Sequence, residues 1–354
     1  MPASVPPPPP APTSAPAASP TGISALLARA GIDWFLLGLL GVVALAWWAP
    51  GLGSKASPVP WKVITTVGVT AVFFFYGLRL SFAKLREGMR NWRLHVVVQL
   101  VTFGLFPLLA LLVRPFFGAD KGELLWQSIF FLCTLPSTVS TSVVMVSVAN
   151  GNVPAAIFNA SISSLLGIVV TPLWLGLLLP TAAAGAPVGS LVTGLIWQVV
   201  VPVTAGMLLN RRFGAFAERH RLRLRTFDQL TILLIVFTAF CDSFAEGLFS
   251  SFAPLDLALL GAGMVALYYL VFFAVGGLSR LLHFDRDDRI TALFCGSKKS
   301  LVQGSVMASL LFPASPATGL LLLPLMLYHA LQIILASVMA QRMGRESVQP
   351  APAR

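Results

Sequence analysis

The sequence predicts an all-α polytopic membrane protein with ten transmembrane helices arranged as two inverted five-helix repeats. Of the 354 residues, 56% are hydrophobic and 10% are charged, with a mean hydropathy of +0.84. Soluble proteins carry roughly 25% charged residues. Ten apolar runs each approach the ~20 residues that a helix needs to cross a bilayer, and they lack the alternation of a β-barrel. Parts of the two halves also match at one fixed offset.

The predicted spans divide the chain into one membrane domain and two tails. They cover residues 33–50, 62–80, 94–113, 124–148, 154–179, 188–208, 227–250, 255–282, 289–312 and 317–341. Residues 1–32 are rich in proline and alanine and cannot bury a core, so we predict a disordered cytoplasmic tail. Residues 33–342 form the membrane domain, with repeat one at 33–180 and repeat two at 188–342. Residues 343–354 are predicted to be a second disordered tail.

The net charge of +11 follows from arginine and lysine residues that collect between particular spans. Cytoplasmic loops of membrane proteins are enriched in these residues, so the charge does not imply a nucleic-acid partner. The clusters lie after spans two, six, eight and ten: Arg79, Lys84, Arg86, Arg90 and Arg93; Arg211, Arg212, Arg219, Arg221, Arg223 and Arg225; Arg280, Arg286 and Arg289; Arg342, Arg345 and Arg354. With ten spans they all fall on one side, which predicts a multi-pass cell-membrane protein with both termini cytoplasmic.

An internal repeat is indicated by an offset of 162 residues between the halves. At this offset the paired residues are Cys133 with Cys295, Met145 with Met307, Ser147 with Ser309, and Pro154-Ala155 with Pro316-Ala317. Because five spans per copy is an odd number, the second copy must be inverted in the membrane. Inverted repeats are typical of secondary transporters, whose sites lie at the midplane between the copies.

Two polar stretches interrupt spans four and nine at positions that the repeat relates. They are CTLPSTVSTS at 133–142 and CGSKKSLVQG at 295–304. Pro136 removes an amide hydrogen bond, and Gly296 and Gly304 weaken the second helix. Backbone groups freed at membrane depth must face protein or a water-filled cavity. We therefore predict that spans four and nine are broken and cross at one polar site.

Lys298 and Lys299 are the strongest functional candidates, because a lysine at the centre of a membrane helix costs roughly 3 kcal/mol or more. The alternative is that both side chains extend to a membrane interface. We expect Lys299 to face a cavity together with Gln303, which follows one helical turn later. The charged lysine would bind an anion or exchange a proton with the substrate pathway.

Hydroxyl and amide side chains near the two breaks are further candidates for binding an ion or an anion. They are Ser137, Thr138, Ser140, Thr141, Ser142, Asn159, Ser297 and Ser300. Hydroxyls in membrane helices also bond to their own backbone or pack against neighbouring helices. For Asn159 we favour packing, whereas the density of hydroxyls beside Pro136 leaves both interpretations open.

These motifs resemble the bile acid:sodium symporter family, and specifically its sodium/bile acid cotransporter 7-like branch with bacterial members. The similarity is carried by GSKKSL at 296–301 and Val306-Met307-Ala308, and by the LPSTVSTS and GNVPAA stretches of spans four and five. It extends from about Asp33 to Arg342. The resemblance implies a panel of spans 1, 2, 6 and 7 and a core of spans 3–5 and 8–10. Spans 4 and 9 would be unwound and crossing, and the activity would be sodium-coupled uptake of organic anions.

The sequence departs from the family pattern at the residues that bind sodium in its sodium-coupled members. Those members have a glutamate four residues before a glutamine on the ninth span, where this chain has Lys299 before Gln303. Their Ser-Asn pair on the fourth span corresponds to Thr141-Ser142. An ammonium group only donates hydrogen bonds and would repel sodium. Coupling is therefore expected to be proton-driven or sodium-independent.

The leading functional prediction is a secondary transporter of small organic anions that works by alternating access. The alternatives are a classical sodium-coupled symporter and a non-transporting membrane regulator of calcium entry. No nucleophile triad, metal-ligand cluster or phosphate-binding loop is visible, so an enzyme is not expected. We predict no cofactor beyond Na⁺ or H⁺ as the coupling ion, and no nucleic-acid partner. The expected partners are the lipid bilayer and the anionic substrate, and a homodimer is compatible with the sequence.

Overall fold

The computed structural model describes residues 34–79, 91–119, 121–178, 196–312 and 315–346, and within these ranges the regular secondary structure is helical. The α-helices are α1 (Trp34–Trp48), α2 (Trp61–Arg79), α3 (Trp92–Leu100), α4 (Phe106–Val113), α5 (Lys121–Thr134), α6 (Ser140–Val148), α7 (Val153–Leu178), α8 (Val201–Arg219), α9 (Arg221–Ala245), α10 (Pro254–Leu281), α11 (Arg286–Gly296), α12 (Leu301–Leu311) and α13 (Thr318–Glu346). A π-helical turn, Val101–Leu105, joins α3 to α4, and a second, Ile196–Val200, precedes α8.

Six helical segments of the described chain are long and apolar enough to cross a membrane. They are Trp61–Arg79, Trp92–Phe116, Val153–Leu178, Arg221–Ala245, Pro254–Leu281 and Thr318–Arg345. Helix α1 is a shorter apolar helix of 15 residues. The chain is therefore a multi-pass membrane protein with an all-helical fold in the part that the structure describes.

Both predicted helix interruptions are present, and they contact each other. Helix α5 ends at Thr134 and α6 begins at Ser140, while α11 ends at Gly296 and α12 begins at Leu301. The backbone N–H of Ser300 donates to the carbonyl of Pro136 at 2.8 Å. The Ser137 hydroxyl donates to the carbonyl of Cys295 at 2.6 Å. The polar stretches thus meet directly.

Gly304 was predicted to weaken the second helix, and this prediction is wrong. Gly304 lies inside the regular part of α12. A Cβ atom at this position would overlap the side chains of Leu135 and Leu325. The glycine therefore allows α12 to approach its neighbours closely, whereas the break itself begins after Gly296.

Two sets of helices pack side by side. Helix α2 lies along α8, and α1 lies along α9. Separately, α5 packs against α13, and α10 packs against both α11 and α13. Helix α9 also contacts α12 and α13, so it joins the two sets.

The arginine-rich segment that was predicted as a loop between spans six and seven is helical instead. Helix α8 continues to Arg219 and α9 begins at Arg221, so His220 alone separates them. Leu78 at the end of α2 packs with the buried side chains of Ala217 and Leu224. These contacts stabilise the hairpin beyond the apolar part of the two helices.

The C-terminal tail predicted at 343–354 also begins later than expected, because α13 continues to Glu346. The Arg286 guanidinium donates to the carbonyl of Met343 at 2.8 Å, which satisfies a group of the last turn. Gly344 packs against the carbonyl of Val148. The remaining tail residues, the predicted tail at 1–32, and Lys84, Arg86 and Arg90 lie outside the described residues.

Candidate functional site

The candidate site is the contact between the two helix breaks. There the C-terminal ends of α5 and α11 adjoin the N-terminal ends of α6 and α12. Helix ends carry backbone groups without a partner inside the helix. Ser300 satisfies one of them, because its hydroxyl accepts from the N–H of Gln303 at 3.3 Å. Other backbone groups at these helix ends accept hydrogen bonds from nearby side chains.

Lys299 is enclosed at this crossing and is fully buried. Its Nζ donates to the backbone carbonyls of Thr102, Cys133 and Leu135, each at 2.7 Å. The Phe106 ring lies below the same ammonium, with 4.0 Å between Nζ and the ring centroid. Because an ammonium group has three protons, the three carbonyls use its whole donor capacity.

The three carbonyls are available because the local helices are interrupted. Thr102 lies in the π-helical turn, and π-turns are frequent at functional sites. In an uninterrupted α5 the N–H of Ser137 would donate to Cys133, but it donates to the Ser163 hydroxyl at 3.0 Å instead. Leu135 lies in the break itself. Pro136 and the π-turn therefore create the acceptors that Lys299 uses.

Lys298 has a different environment, although it is also fully buried. Its Nζ donates to the carbonyl of Thr141 at 3.0 Å, in the first turn of α6. The Phe294 ring centroid lies 5.9 Å from the ammonium. The bond to Thr141 is the single hydrogen bond that the Lys298 ammonium makes among the described residues. Two of its three N–H donors are therefore unused there.

The hydroxyls after Pro136 form one cluster and several separate contacts. The Thr138 hydroxyl lies 2.7 Å from that of Thr141 and 2.9 Å from that of Ser142. Ser140 is exposed. Ser297 donates to the carbonyl of Leu293 at 2.6 Å, within its own helix. The cluster beside Lys298 thus contains three of the predicted hydroxyl residues.

Gln303 contacts α7, and Asn159, which is itself on α7, contacts α3. Among the described residues neither side chain forms a hydrogen bond with Lys299. Gln303 donates to the carbonyl of Ser164 at 3.4 Å, and Asn159 donates to that of Ala155 at 3.1 Å. The side-chain amide of Gln99 donates to Asn159 Oδ1 at 3.4 Å. The expectation that Lys299 and Gln303 face one cavity is therefore wrong for this structure.

A cavity of about 740 Å³ lies elsewhere, between α2, α9 and the end of α12. Its lining includes Lys55, Lys62 and Asp242, together with Ser309 and Thr318. Asp242 accepts a hydrogen bond from the backbone N–H of Lys55 at 3.0 Å. Lys298 and Lys299 are fully buried and are not part of this lining, so these two residues do not reach the cavity.

Similarity to known proteins covers nearly the whole chain. The sequence profile of the SBF-like CPA transporter family matches residues 33–345. The chain belongs to the SBF-like CPA transporter family. An uncharacterized protein of Pseudomonas aeruginosa is 40% identical over 91% of this chain and 96% of its own length. The putative symporter YfeH of Escherichia coli is 36% identical, over 90% and 95%. Sodium/bile acid cotransporter 7 of Xenopus tropicalis is 32% identical, over 89% and 92%.

Sequence reasoning missed two residues that hold the crossing of this SBF-like transporter in place. Gln332 on α13 is fully buried, accepts from the N–H of Lys299 and donates to its carbonyl, both at 2.8 Å. The Tyr328 hydroxyl donates to the carbonyl of Ser297 at 2.7 Å. A glutamine in the middle of an apolar run is the signal that would have identified Gln332.

Gln332→Leu is expected to lower the free energy of unfolding by about 2–6 kcal/mol. The substitution preserves side-chain volume but leaves two buried backbone groups of Lys299 without partners, each costing about 1–3 kcal/mol. Thermal melting in detergent measures the change. Gln341→Leu is the control, because Gln341 is exposed on the same helix and contacts only the Ser337 hydroxyl, at 3.3 Å, among the described residues. Equal shifts in the two variants would contradict this role of Gln332.

Proposed function

We propose that this SBF-like transporter is a secondary active transporter of small organic anions, in which the Lys299 ammonium takes the place of a coupling sodium ion. The proposal rests on one observation, the three carbonyls at 2.7 Å around Lys299 Nζ. Rings of backbone carbonyls are how proteins replace the hydration shell of a monovalent cation. A covalently attached cation in that position keeps the carbonyls satisfied without an ion from solution.

The ammonium also opposes binding of sodium at the same place. Two positive charges ~4 Å apart repel by ~4 kcal/mol at an effective dielectric constant of 20. Within the described residues, neither Lys298 nor Lys299 forms an ion pair with a carboxylate. Lys299 therefore acts as a covalently attached cation at the crossing, and transport is sodium-independent.

The proposed architecture is ten spans in two inverted repeats, and the helix boundaries support it. Helices α5 and α11 end at Thr134 and Gly296, which are 162 residues apart. At the same offset α12 corresponds to α6, α10 to α3 with α4, and α13 to α7. Each broken pair then counts as one span. Helices α1, α2, α8 and α9 would form the panel, and the other helices the core.

The anion preference follows from the positive charge at the crossing. Lys298 retains unused donors among the described residues, and it lies beside the first turn of α6. Helix N-termini carry partial positive charge and attract anions. The 740 Å³ cavity adds Lys55 and Lys62 on the approach between panel and core. The relative named sodium/bile acid cotransporter 7 agrees with transport of an organic anion.

Melting of the purified protein in a sodium series, with choline as the control salt, tests the lysine-for-sodium proposal. Bound ligand stabilises the folded state by mass action. We expect sodium and choline to give the same melting temperature for the wild-type protein. Lys299→Glu, which places a carboxylate beside the three carbonyls, is expected to melt at a higher temperature in sodium than in choline. A sodium-specific rise in the wild type would contradict the proposal.

A classical sodium symporter is the second candidate, and one observation favours it. The side-chain oxygens of Gln99 and Gln303 are buried without a hydrogen-bond partner among the described residues. Amide oxygens are suitable ligands for a hard cation, so a sodium ion near Gln303 would satisfy such an oxygen. A wild-type sodium response that is lost in Gln303→Leu would establish this alternative.

A further inference from the structure

The hairpin of α8 and α9 ends in a dense cationic surface. Six exposed arginines lie on it: Arg211, Arg212, Arg219, Arg221, Arg223 and Arg225. The sequence from Arg211 to Arg225 contains one acidic residue, Glu218. A carboxylate oxygen of Glu218 lies 3.9 Å from a guanidinium nitrogen of Arg221. The surface therefore has a large positive excess on two rigid helices.

One face of α8 changes character along its length. In the apolar part this face exposes Val201 and Leu208, the latter with 74% of its surface accessible. At helical spacing the same face continues with Arg212, Phe216 and Arg219. Phe216 is 54% exposed. An apolar row followed by an Arg-Phe-Arg row is the pattern of a helix that passes from acyl chains into headgroups.

The depth of Arg212 matches the headgroup layer, and the next residues of the row lie at its aqueous side. Two polar contacts lie at the C-terminal end of α2: Arg79 forms an ion pair with Asp228 at 2.6 Å, and Asn210 donates to the carbonyl of Leu78 at 2.6 Å. We take these contacts as the level at which the apolar part of the membrane ends. With a rise of about 1.5 Å per residue, Arg212 lies about 3 Å and Phe216 about 9 Å beyond Asn210. The headgroup layer is roughly 5–8 Å deep on each side of a bilayer, so Arg212 lies within it and Phe216 lies at its aqueous edge. The long Arg219 side chain extends back toward the same layer.

We propose that this face of α8 binds the phosphate groups of anionic phospholipids, with Arg212 and Arg219 on the phosphates and Phe216 between them. Guanidinium groups bind phosphate oxygens in pairs of parallel hydrogen bonds. The Arg79–Asp228 ion pair and the packing of Ala217 hold the hairpin in place. The face is therefore ordered before lipid arrives, which reduces the entropy lost on binding.

The test compares phosphatidylglycerol with phosphatidylcholine, each added to the protein in a neutral detergent. We expect phosphatidylglycerol to raise the melting temperature more than phosphatidylcholine, and added salt to shrink this difference. Without lipid, the variant Arg212→Gln/Arg219→Gln should melt at the wild-type temperature. With lipid, it should lose most of the extra rise that phosphatidylglycerol gives over phosphatidylcholine. The control variant Arg342→Gln/Arg345→Gln removes the same amount of charge from the end of α13, and it should keep the extra rise with phosphatidylglycerol.

Three outcomes would overturn the proposal. The first is a full phosphatidylglycerol effect in Arg212→Gln/Arg219→Gln. The second is an equal rise with inorganic phosphate, which would indicate a site for the free ion. The third is a smaller particle mass for this variant in detergent without lipid, which would make the face an interface between two copies of the chain.

Discussion

Lys299→Gln is expected to abolish uptake of an organic anion into proteoliposomes, with labelled taurocholate as the first substrate tested. The three carbonyls at 2.7 Å would lose their cation, and a shorter neutral amide cannot replace three ammonium donors. Unsatisfied buried carbonyls disfavour the closed crossing that this structure shows, because each costs about 1–3 kcal/mol. The variant should therefore fall to the rate of liposomes without protein.

Lys298→Gln is the matched control, because it removes the neighbouring buried ammonium. Lys298 makes one hydrogen bond within the described residues and lies beside the hydroxyl cluster, so its predicted partner is the substrate anion. Loss of a charged hydrogen bond costs about 1.5–3 kcal/mol, which corresponds to a KM raised roughly tenfold or more. Turnover at saturating substrate should persist. Wild-type uptake by Lys299→Gln, or identical defects in the two variants, would contradict the separate roles.

The helix breaks were predictable because their cause is local. Proline and adjacent lysines in an apolar run have few structural explanations, and the structure has a break at Pro136 and another just before Lys298. Spans three to five and eight to ten also agree closely with the helix boundaries. Local chemistry was thus sufficient to place the crossing within the chain.

The enclosure of Lys299 was not predictable, because its partners are backbone atoms from segments distant in sequence. Thr102 contributes a carbonyl only because a π-turn interrupts the helix there, and Pro107 directly after that turn does not indicate which group will take the carbonyl. Burial by the Phe106 ring depends on the tertiary packing of α4. The arginine-rich hairpin was misassigned for a related reason, since a high density of charge is equally compatible with a loop and with a solvated helix.

Gly206→Ala is expected to lower the free energy of unfolding by about 1–3 kcal/mol and to slow uptake. A Cβ atom at Gly206 would overlap the backbone of α2 at Phe74 and Leu78, and a Cβ at Gly77 would overlap the carbonyl of Val203. Backbone atoms cannot move aside as a flexible side chain can. The two helices would have to separate along their whole contact.

The consequence for transport depends on how α2 and α8 move. If the proposed panel rocks as one body, a separated pair transmits the motion poorly, so uptake should fall more than the amount of folded protein does. Gly263→Ala is the control, because that glycine is exposed on α10 with nothing within 4 Å of its added Cβ. Melting in detergent and uptake per folded molecule measure the two effects separately. A Gly206→Ala variant that melts lower but transports at the wild-type rate would show that this contact serves folding alone, and that alternating access does not require a rigid pair of α2 and α8.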